Sequence, residues 1–505
     1  MGLIDTIWAQ YLKIAKSEIE DFKIDPLNSQ WNQLYTILDI ASETEWGKKF
    51  KFSSISSIEN YIQSVPIHEY DDIKSDIQRM MKGEESVLWP GKVSYFAKSS
   101  GTTSDKSKFI PITKENHKYC HTKGGLRLTS VIYSEIPKPG ILDGKTIVLT
   151  GSTRNDLPDF PNVVVGDVSA VIYRNLTSIL KSFFVPDEES NLLEDSETKL
   201  DVIAQKCCGE DVRMLAGSPT WMLLLCKKIL MLTGKQNMLE VWPNFKILVH
   251  GAVSFVPYRK NFMELFPSEK VFFWETYNAS EGYFAVQDKA HSEEMLLLLD
   301  VGIFYEFILP DQLHLSQPQT CTIKDVELGK NYGLVITSNS GLYRYIVGDT
   351  IQFTSLSPHR IKITGRIKQF INVFGEELMV SNTDEAIQKT CEHFNVKVKD
   401  YTVAPVFHPD SKSQGAHEWL IEFENTPPDS NLFAIHLDKA LQSLNSDYEA
   451  KRFKNLAMEM LILHVAKQGC FANWMKATGR IGAQKKVPRL SSQRVYLEEI
   501  LTFNQ

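Results

Sequence analysis

Cysteine is scarce in this chain: seven among 505 residues, an odd number, with no Cys-x-x-Cys pair and with Cys207 and Cys208 adjacent. That pattern excludes a disulfide framework and predicts a reducing, cytoplasmic setting. Positive charge is not in excess either, since 55 Lys and Arg stand against 62 Asp and Glu, a formal net charge of −7. Neutralising a phosphate backbone or an anionic bilayer needs clustered Lys and Arg, so neither nucleic acid nor membrane is an expected partner. No apolar run reaches the ~20 residues of a membrane span; the most apolar window, 295–309, is broken by Asp300, Gly302 and Glu306. Also missing are a Gly-x-x-x-x-Gly-Lys-[Ser/Thr] loop, a Gly-x-Ser-x-Gly elbow and a His-Glu-x-x-His helix. Their absence argues against P-loop, serine-hydrolase and zinc-protease chemistry.

What is present suits globular domains. With 43% hydrophobic and 23% charged residues, 505 residues are enough for at least two domains with large cores. The first 16 residues have no basic stretch ahead of their apolar positions, and Asp5 interrupts these, so no secretory leader is read there. Met1-Gly2-Leu3-Ile4-Asp5-Thr6 matches the myristoylation pattern, but Ile4, Ile7, Trp8, Tyr11, Ile14 and Ala15 recur at helical spacing, and an amphipathic helix is the expectation. Residues 1–90 read as mostly helical, with further helices over 29–41, 57–63 (Ser57 as cap) and 70–82. From 91 onward, short apolar runs at 93–96, 146–150, 246–250 and 271–274 alternate with helical patterns after Thr113, around 178–184 and over 218–232. That alternation predicts an α/β fold.

Four stretches carry chemistry. Lys98-Ser99-Ser100-Gly101-Thr102-Thr103-Ser104-Asp105-Lys106-Ser107-Lys108 packs hydroxyls, a glycine and lysines between two strand-like runs. Glycine admits a ligand close to the backbone, hydroxyls and main-chain N–H groups donate to phosphate oxygens, and lysine adds charge. By itself such a loop is equally a solvated turn. His250-Gly251-Ala252 follows an apolar strand, where α/β sheets bind ligands. Trp274-Glu275-Thr276-Tyr277-Asn278-Ala279-Ser280-Glu281-Gly282-Tyr283 ends a strand with small and amide residues and then presents Glu281, a residue type that suits Mg²⁺. Paired strands are expected at 295–299 and 302–309, and Gly341-Leu342-Tyr343-Arg344-Tyr345-Ile346-Val347-Gly348-Asp349 reads as a strand ending in a carboxylate able to accept from ribose hydroxyls. His117, Cys120 and His121 have i, i+4 spacing but no partner motif for a metal, so they read as a surface helix.

In order and spacing these stretches resemble the Gretchen Hagen family of acyl acid amido synthetases, within the adenylate-forming superfamily. The resemblance rests on Ser99-Ser100-Gly101-Thr102-Thr103, Tyr277-Asn278-Ala279-Ser280-Glu281, Tyr343-Arg344-Tyr345-Ile346-Val347-Gly348-Asp349, the strands at 298–307, and Gly482-Ala483-Gln484-Lys485-Lys486-Val487-Pro488-Arg489. It implies a large α/β adenylation domain of luciferase-like type over residues 1–365 and a small mobile α+β lid over 366–505, hinged near Gly365-Arg366. It also implies ATP and Mg²⁺ as cofactors, with Ser99, Ser100, Gly101, Thr102, Thr103 and Lys108 at the phosphates. Gly251, Ala252, Tyr277 and Asn278 would line the adenine, Ala279, Ser280 and Arg366 would also belong to the ATP site, Asp349 would take the ribose hydroxyls, Glu281 would hold the metal, and Lys485 or Lys486, the latter the better match, would be the catalytic lysine.

The reaction so implied is that of a ligase: a carboxylic acid becomes an acyl-adenylate, and an amine, usually an amino acid in the family, displaces AMP. A cousin that passes the acyl group to coenzyme A and a non-catalytic ligand-binding descendant share these motifs and stay open. The acyl pocket is expected along 120–131, 216–225 and 253–258, where Leu126, Trp221, Met222 and Phe255 serve equally well as core.

Overall fold

The computed structural model describes residues 2–100, 107–154, 157–191, 193, 196–252, 255, 258–309, 312, 315, 318–367, 370–376, 378–407, 415–455, 457–478 and 487–504. They form two units, one from Met1–Ser99 with Lys108–Ile367 and one built on Lys368–Gln505. In the first unit helices Leu3–Ile24, Pro26–Ala41, Ile58–Ser64 and Tyr70–Met81 lead the chain. Local chemistry starts three of them. Asp25 accepts from Asn28 N (3.2 Å) with Pro26 opening the helix, Ser57 accepts from Asn60 N (3.1 Å), and Glu69 with Asp72 closes a reciprocal capping box.

The opening helix forms as expected but buries the other face. Asp5, Leu12, Ala15, Ile19 and Phe22 are buried, whereas Ile4, Ile7, Tyr11 and Ile14 are exposed. Polar anchors take part in this. Asp5 accepts from Leu142 N (3.0 Å) and from the Tyr133 hydroxyl, Ser130 donates to Leu12 O (3.0 Å), and the buried Arg127 donates to Ala15 O (2.9 Å). Such groups, once buried, must be paired, and they act together with the second apolar row, Leu12, Ala15, Ile19 and Phe22.

The strands are β1 (Tyr95–Ser100), β2 (Ser107–Ile112), β3 (Lys145–Val148), β4 (Thr153–Arg154), β5 (Val164–Gly166), β6 (Phe184–Val185), β7 (Val212–Gly217) and β8 (Ile247–His250). They continue with β9 (Phe272–Ala279), β10 (Gly282–Gln287), β11 (Met295–Leu297), β12 (Ile303–Ile308), β13 (Thr320–Cys321), β14 (Asn331–Ser338), β15 (Leu342–Leu356) and β16 (His359–Arg366). Twelve of them make one sheet in the order β13-β12-β14-β15-β16-β11-β10-β9-β8-β7-β3-β6. Pairing is parallel from β6 through β3, β7 and β8 to β9, and antiparallel beyond β9. β2-β1-β5-β4 form a second, smaller sheet. Residues 200–206 belong to the helix Ser196–Cys207, and the helix begun at Ser178 ends at Lys181, ahead of β6.

Two expectations about strands are corrected. β11 and β12 do not pair with each other: β11 lies between β10 and β16, and β12 between β14 and β13. Both are buried along their whole length, so no alternation in the sequence marks a partner. β15 does not end at Asp349 but runs on to Leu356, its register with β14 and β16 shifting in several places.

β15 is fixed by a buried ion pair. Arg344 Nε lies 3.0 and 3.1 Å from the two Glu306 oxygens and Nη2 lies 2.8 Å from Oε1, with both residues under 5% exposed. Arg344 Nη1 also donates to Ile62 O (2.8 Å) and Val65 O (2.7 Å), and Nη2 to Thr320 Oγ1 (2.9 Å). One guanidinium thereby ties the leading helices, β12, β13 and β15 together, and every donor finds an acceptor.

In the second unit β17 (Phe370–Ile371) pairs with β18 (Leu378–Met379), and β19 (Lys397–Phe407), β20 (Gly415–Asn425) and β21 (Ile462–Val465) form a sheet covered by helices Val380–Phe394 and Ser430–Leu444. Its core holds Tyr401 stacked on Trp419, and Glu376 buried 2.7 Å from His417 Nε2 while accepting from Phe374 N (2.6 Å). This is the α+β pattern expected of the C-terminal segment. Among the described residues no helix is long and apolar enough to cross a membrane.

Arg344→Ala strands the Glu306 carboxylate in the core. It is expected to cost about 3–5 kcal/mol, whereas Arg344→Met with Glu306→Leu recovers most of the loss. Denaturant titration of the three proteins measures both; equal destabilisation of single and double variants contradicts this account of the pair.

Candidate active site

The site lies where β7, β8 and β9 end. Gly251, directly after β8, cannot carry a side chain: a Cβ there would stand 2.6 Å from Thr276 O of β9. Ala252 follows with φ +70°, a backbone turn a β-carbon tolerates poorly. His250 is buried and stacked on Phe255 (3.9 Å between ring centres); burial, helped by the charge of Arg259, lowers its ring to about 3. In the β8–β9 register Glu275 stands beside His250, and burial raises its carboxyl to about 7. Met222 and Phe255 are core residues on this side, while Leu126 and Trp221 are half-buried.

The β9–β10 hairpin brings the sequence-predicted residues together. Asn278 pairs with Tyr283 and Ala279 with Gly282, leaving Ser280 and Glu281 at the turn; Glu281 is only 7% exposed. The Tyr277 hydroxyl donates to Asp349 Oδ2 at 2.5 Å, so the residue expected beside the base and the one expected at the ribose are in direct contact. Asp349 reaches this place from within a strand because Gly348 adopts φ +100°, and its register partner on β16 is Arg366. Ser99 and Ser100 close β1, and Lys108 lies on β2, buried, with Nζ 3.4 Å from the Tyr345 hydroxyl and over the rings of Tyr70 and Tyr345 (5.7 and 5.9 Å). Gly101, Thr102, Thr103 and Lys486 lie outside the described residues.

Three groups escaped the sequence reading. Tyr345 stands inside the Tyr-Arg motif, and its contact with Lys108 requires knowing that β2 and β15 meet. Tyr70, on a leading helix, accepts from Phe109 N (2.9 Å) and forms the other wall around Lys108. The largest correction concerns residues 116–122, which form not a surface helix but a turn of π-helix whose Cys120 and His121 are buried. Cys120 Sγ accepts from Tyr283 N (3.2 Å), His121 Nδ1 lies 3.1 Å from Asn278 Oδ1, and Gly124 lets the helix settle on the Tyr283 ring, which a Cβ would meet at 2.4 Å. Widened helical turns of this kind recur at functional sites. All seven cysteines are free thiols, and among the described residues no three His, Cys, Asp or Glu stand together as a metal cluster.

A long mixed sheet and a separate α+β unit are the architecture of the adenylate-forming, luciferase-like fold. Comparison with known proteins narrows this. Models of the GH3 family N-terminal, central and C-terminal domains match residues 15–271, 296–366 and 381–495, and the chain belongs to the GH3 family. It is an ATP-dependent ligase that forms an acyl-adenylate and then an amide. Similar proteins include indole-3-acetic acid-amido synthetase GH3.3 of Arabidopsis thaliana, 24% identical over 90% of this chain and 88% of the relative. Another is jasmonoyl--L-amino acid synthetase GH3.5 of Oryza sativa subsp. japonica, 24% identical over 94% of each. Among solved structures, the AtGH3.15 acyl acid amido synthetase in complex with 2,4-DB superposes with a TM-score of 0.61 at 18% identity, covering 98% of this chain and 96% of that one.

A carboxyl raised from 4.5 to about 7 by burial is a charge the fold holds at a cost above neutral pH. The cost is fully present above the folded value and vanishes below the unfolded one. Glu275→Gln is therefore expected to be more stable than the parent at pH 8, by about 3 kcal/mol at most, and to lose that advantage as pH falls toward 4.5. Melting curves across pH measure it; a constant difference contradicts the assignment.

Proposed function

We propose that the residues gathered around the β9–β10 hairpin bind ATP and Mg²⁺ and join a small-molecule carboxylic acid to an amino acid, in the cytoplasm. The contact that supports this most directly is the Tyr277–Asp349 hydrogen bond, with Glu281 on the same hairpin and Tyr345 on the same strand as Asp349. Ser99, Ser100, Gly101, Thr102 and Thr103, with Lys108, hold the phosphates; Gly251, Ala252, Tyr277, Asn278, Ala279 and Ser280 surround the base; Asp349 accepts from the ribose with Arg366 beside it on β16. The site fits a nucleotide in two respects. A β-carbon would fill the close approach at Gly251, and Tyr277 presets the orientation of the Asp349 carboxylate. Glu281 supplies the hard oxygen that Mg²⁺ prefers, and the ion when bound offsets the charge that builds on the departing pyrophosphate.

The chemistry brings two anions together, since the acid's carboxylate attacks the α-phosphate. Lys108 lowers that repulsion from its place between two tyrosine rings. The mixed anhydride then loses AMP to an amine nitrogen, forming the amide. Residues 1–365 carry the first half of the reaction, and 366–505 form the lid that supplies Lys486 as catalytic cation. An amino acid acceptor is favoured over coenzyme A because the relatives are named as synthetases of amino acid conjugates and amides.

ATP–pyrophosphate exchange driven by a panel of aryl, indolyl and fatty acids with Mg²⁺ tests the proposal. Exchange is expected with one acid class and is expected to fall at least ~100-fold in Glu281→Ala and in Asp349→Ala, as for loss of a charged group acting on the transition state. Competition between amino acids and coenzyme A for the adenylate then separates amide from thioester formation. Exchange undiminished in Glu281→Ala contradicts the placement of the metal.

A further inference from the structure

Resting on the adenylation reading above, we propose that His121, oriented by Asn278, recognises a hydrogen-bond donor on the acyl acid, so that the preferred substrate carries a hydroxyl or N–H group on its organic portion. The argument starts from the strand. Successive side chains of β9 point to opposite faces. Tyr277 faces Asp349, the nucleotide side, so Asn278 faces the other way, where the π-helical turn packs. An acid that reaches the α-phosphate from this second face meets an apolar lining, since strand register puts the half-buried Met214, Ala216 and Phe272 on the same face as Asn278.

On that lining His121 is an unusual group. Its Nδ1 lies 3.1 Å from Asn278 Oδ1, an atom that only accepts, so Nδ1 carries the hydrogen and Nε2 carries a lone pair. That Nε2 is buried and makes no hydrogen bond among the described residues. One turn earlier, His117 Nε2 is a second such atom. A buried acceptor left unmade is costly, and it selects strongly for a ligand that supplies the missing donor. A proton-transfer role fits less well. Burial holds the His121 ring down at about 4, helped by His117, whereas a general base works best near the operating pH. A ring that stays neutral across the physiological range is instead a constant acceptor.

The test uses the full-length protein and matched acids in the exchange assay: 2- and 4-hydroxybenzoate against benzoate, and indole-3-acetic acid against its N-methyl derivative. The parent is expected to prefer a donor-bearing member by about 100-fold or more in kcat/KM, with a ratio that stays flat between about pH 6 and 9. His121→Asn keeps a partner for Asn278 but deletes the Nε2 position, and is expected to bring the ratio within about tenfold; His121→Gln places an amide oxygen near that position and retains most of the preference. Stabilisation of each variant by Mg-ATP in a melting experiment shows that it is folded and binds nucleotide. Exchange that ignores the donor, or a preference unchanged in a folded His121→Asn, overturns the inference while leaving adenylation intact. Exchange with no acid at all overturns the adenylation reading and the inference with it.

Discussion

The Arg344–Glu306 pair is the constraint on which the site's geometry depends. A carboxylate and a guanidinium both below 5% exposure are tolerable only with full pairing, and here the surplus donors are used to hold the carbonyls of Ile62 and Val65. The result is a strand pinned at one residue and irregular on either side. Arg344 has φ +45° and Gly348 φ +100°, and between them the chain presents Tyr345 to Lys108 and, just beyond, Asp349 to Tyr277. The motif's arginine therefore acts on the architecture, while its tyrosine and aspartate meet Lys108 and Tyr277.

The hairpin β9–β10 is held from both faces. It is clamped on one side by Asp349 and on the other by the π-helical turn, through Cys120, His121 and the close fit of Gly124 on Tyr283. Two supports on one short ribbon hold the turn bearing Glu281 in place. Preorganisation of this kind matters because the reaction's main obstacle is electrostatic, and groups already oriented need not reorganise as charge moves.

Much of this was legible in the sequence where chemistry is local. The cap at Ser57, the alternation that gives an α/β sheet, the turn at Ala279-Ser280-Glu281-Gly282 and the α+β pattern after residue 370 follow from spacing and residue type, whereas the helix read from residue 29 in fact starts at Pro26 behind Asp25. What escaped depends on contacts distant in sequence. β11 and β12 are buried on both faces and carry no pairing signal, the first helix docks through Asp5, Ser130 and Arg127 together with Leu12, Ala15, Ile19 and Phe22 rather than through Ile4, Ile7, Tyr11 and Ile14, and His121 looks like a surface residue until Asn278, 157 positions on, is placed beside it. In the last two cases a buried polar group, invisible to hydrophobic periodicity, takes part in fixing the arrangement.

Those same buried groups set the charge state of the site. The protein as a whole is acidic, at −7, yet the reaction assembles a triphosphate and a carboxylate in one place. Additional fixed negative charge on the walls would work against it. Burial keeps His121 and His250 neutral and lets Glu275 carry a proton over part of the physiological range, while Lys108 is held between aromatic rings. Among the described residues of the proposed site, Asp349, Glu281 and Lys108 are the ionisable groups with a proposed role in handling charge. An anion entering such a site meets a low-dielectric surface that strengthens its attraction to lysine and metal alike. Desolvation of the walls, more than the number of cations, is what makes an acidic protein a competent host for anionic substrates.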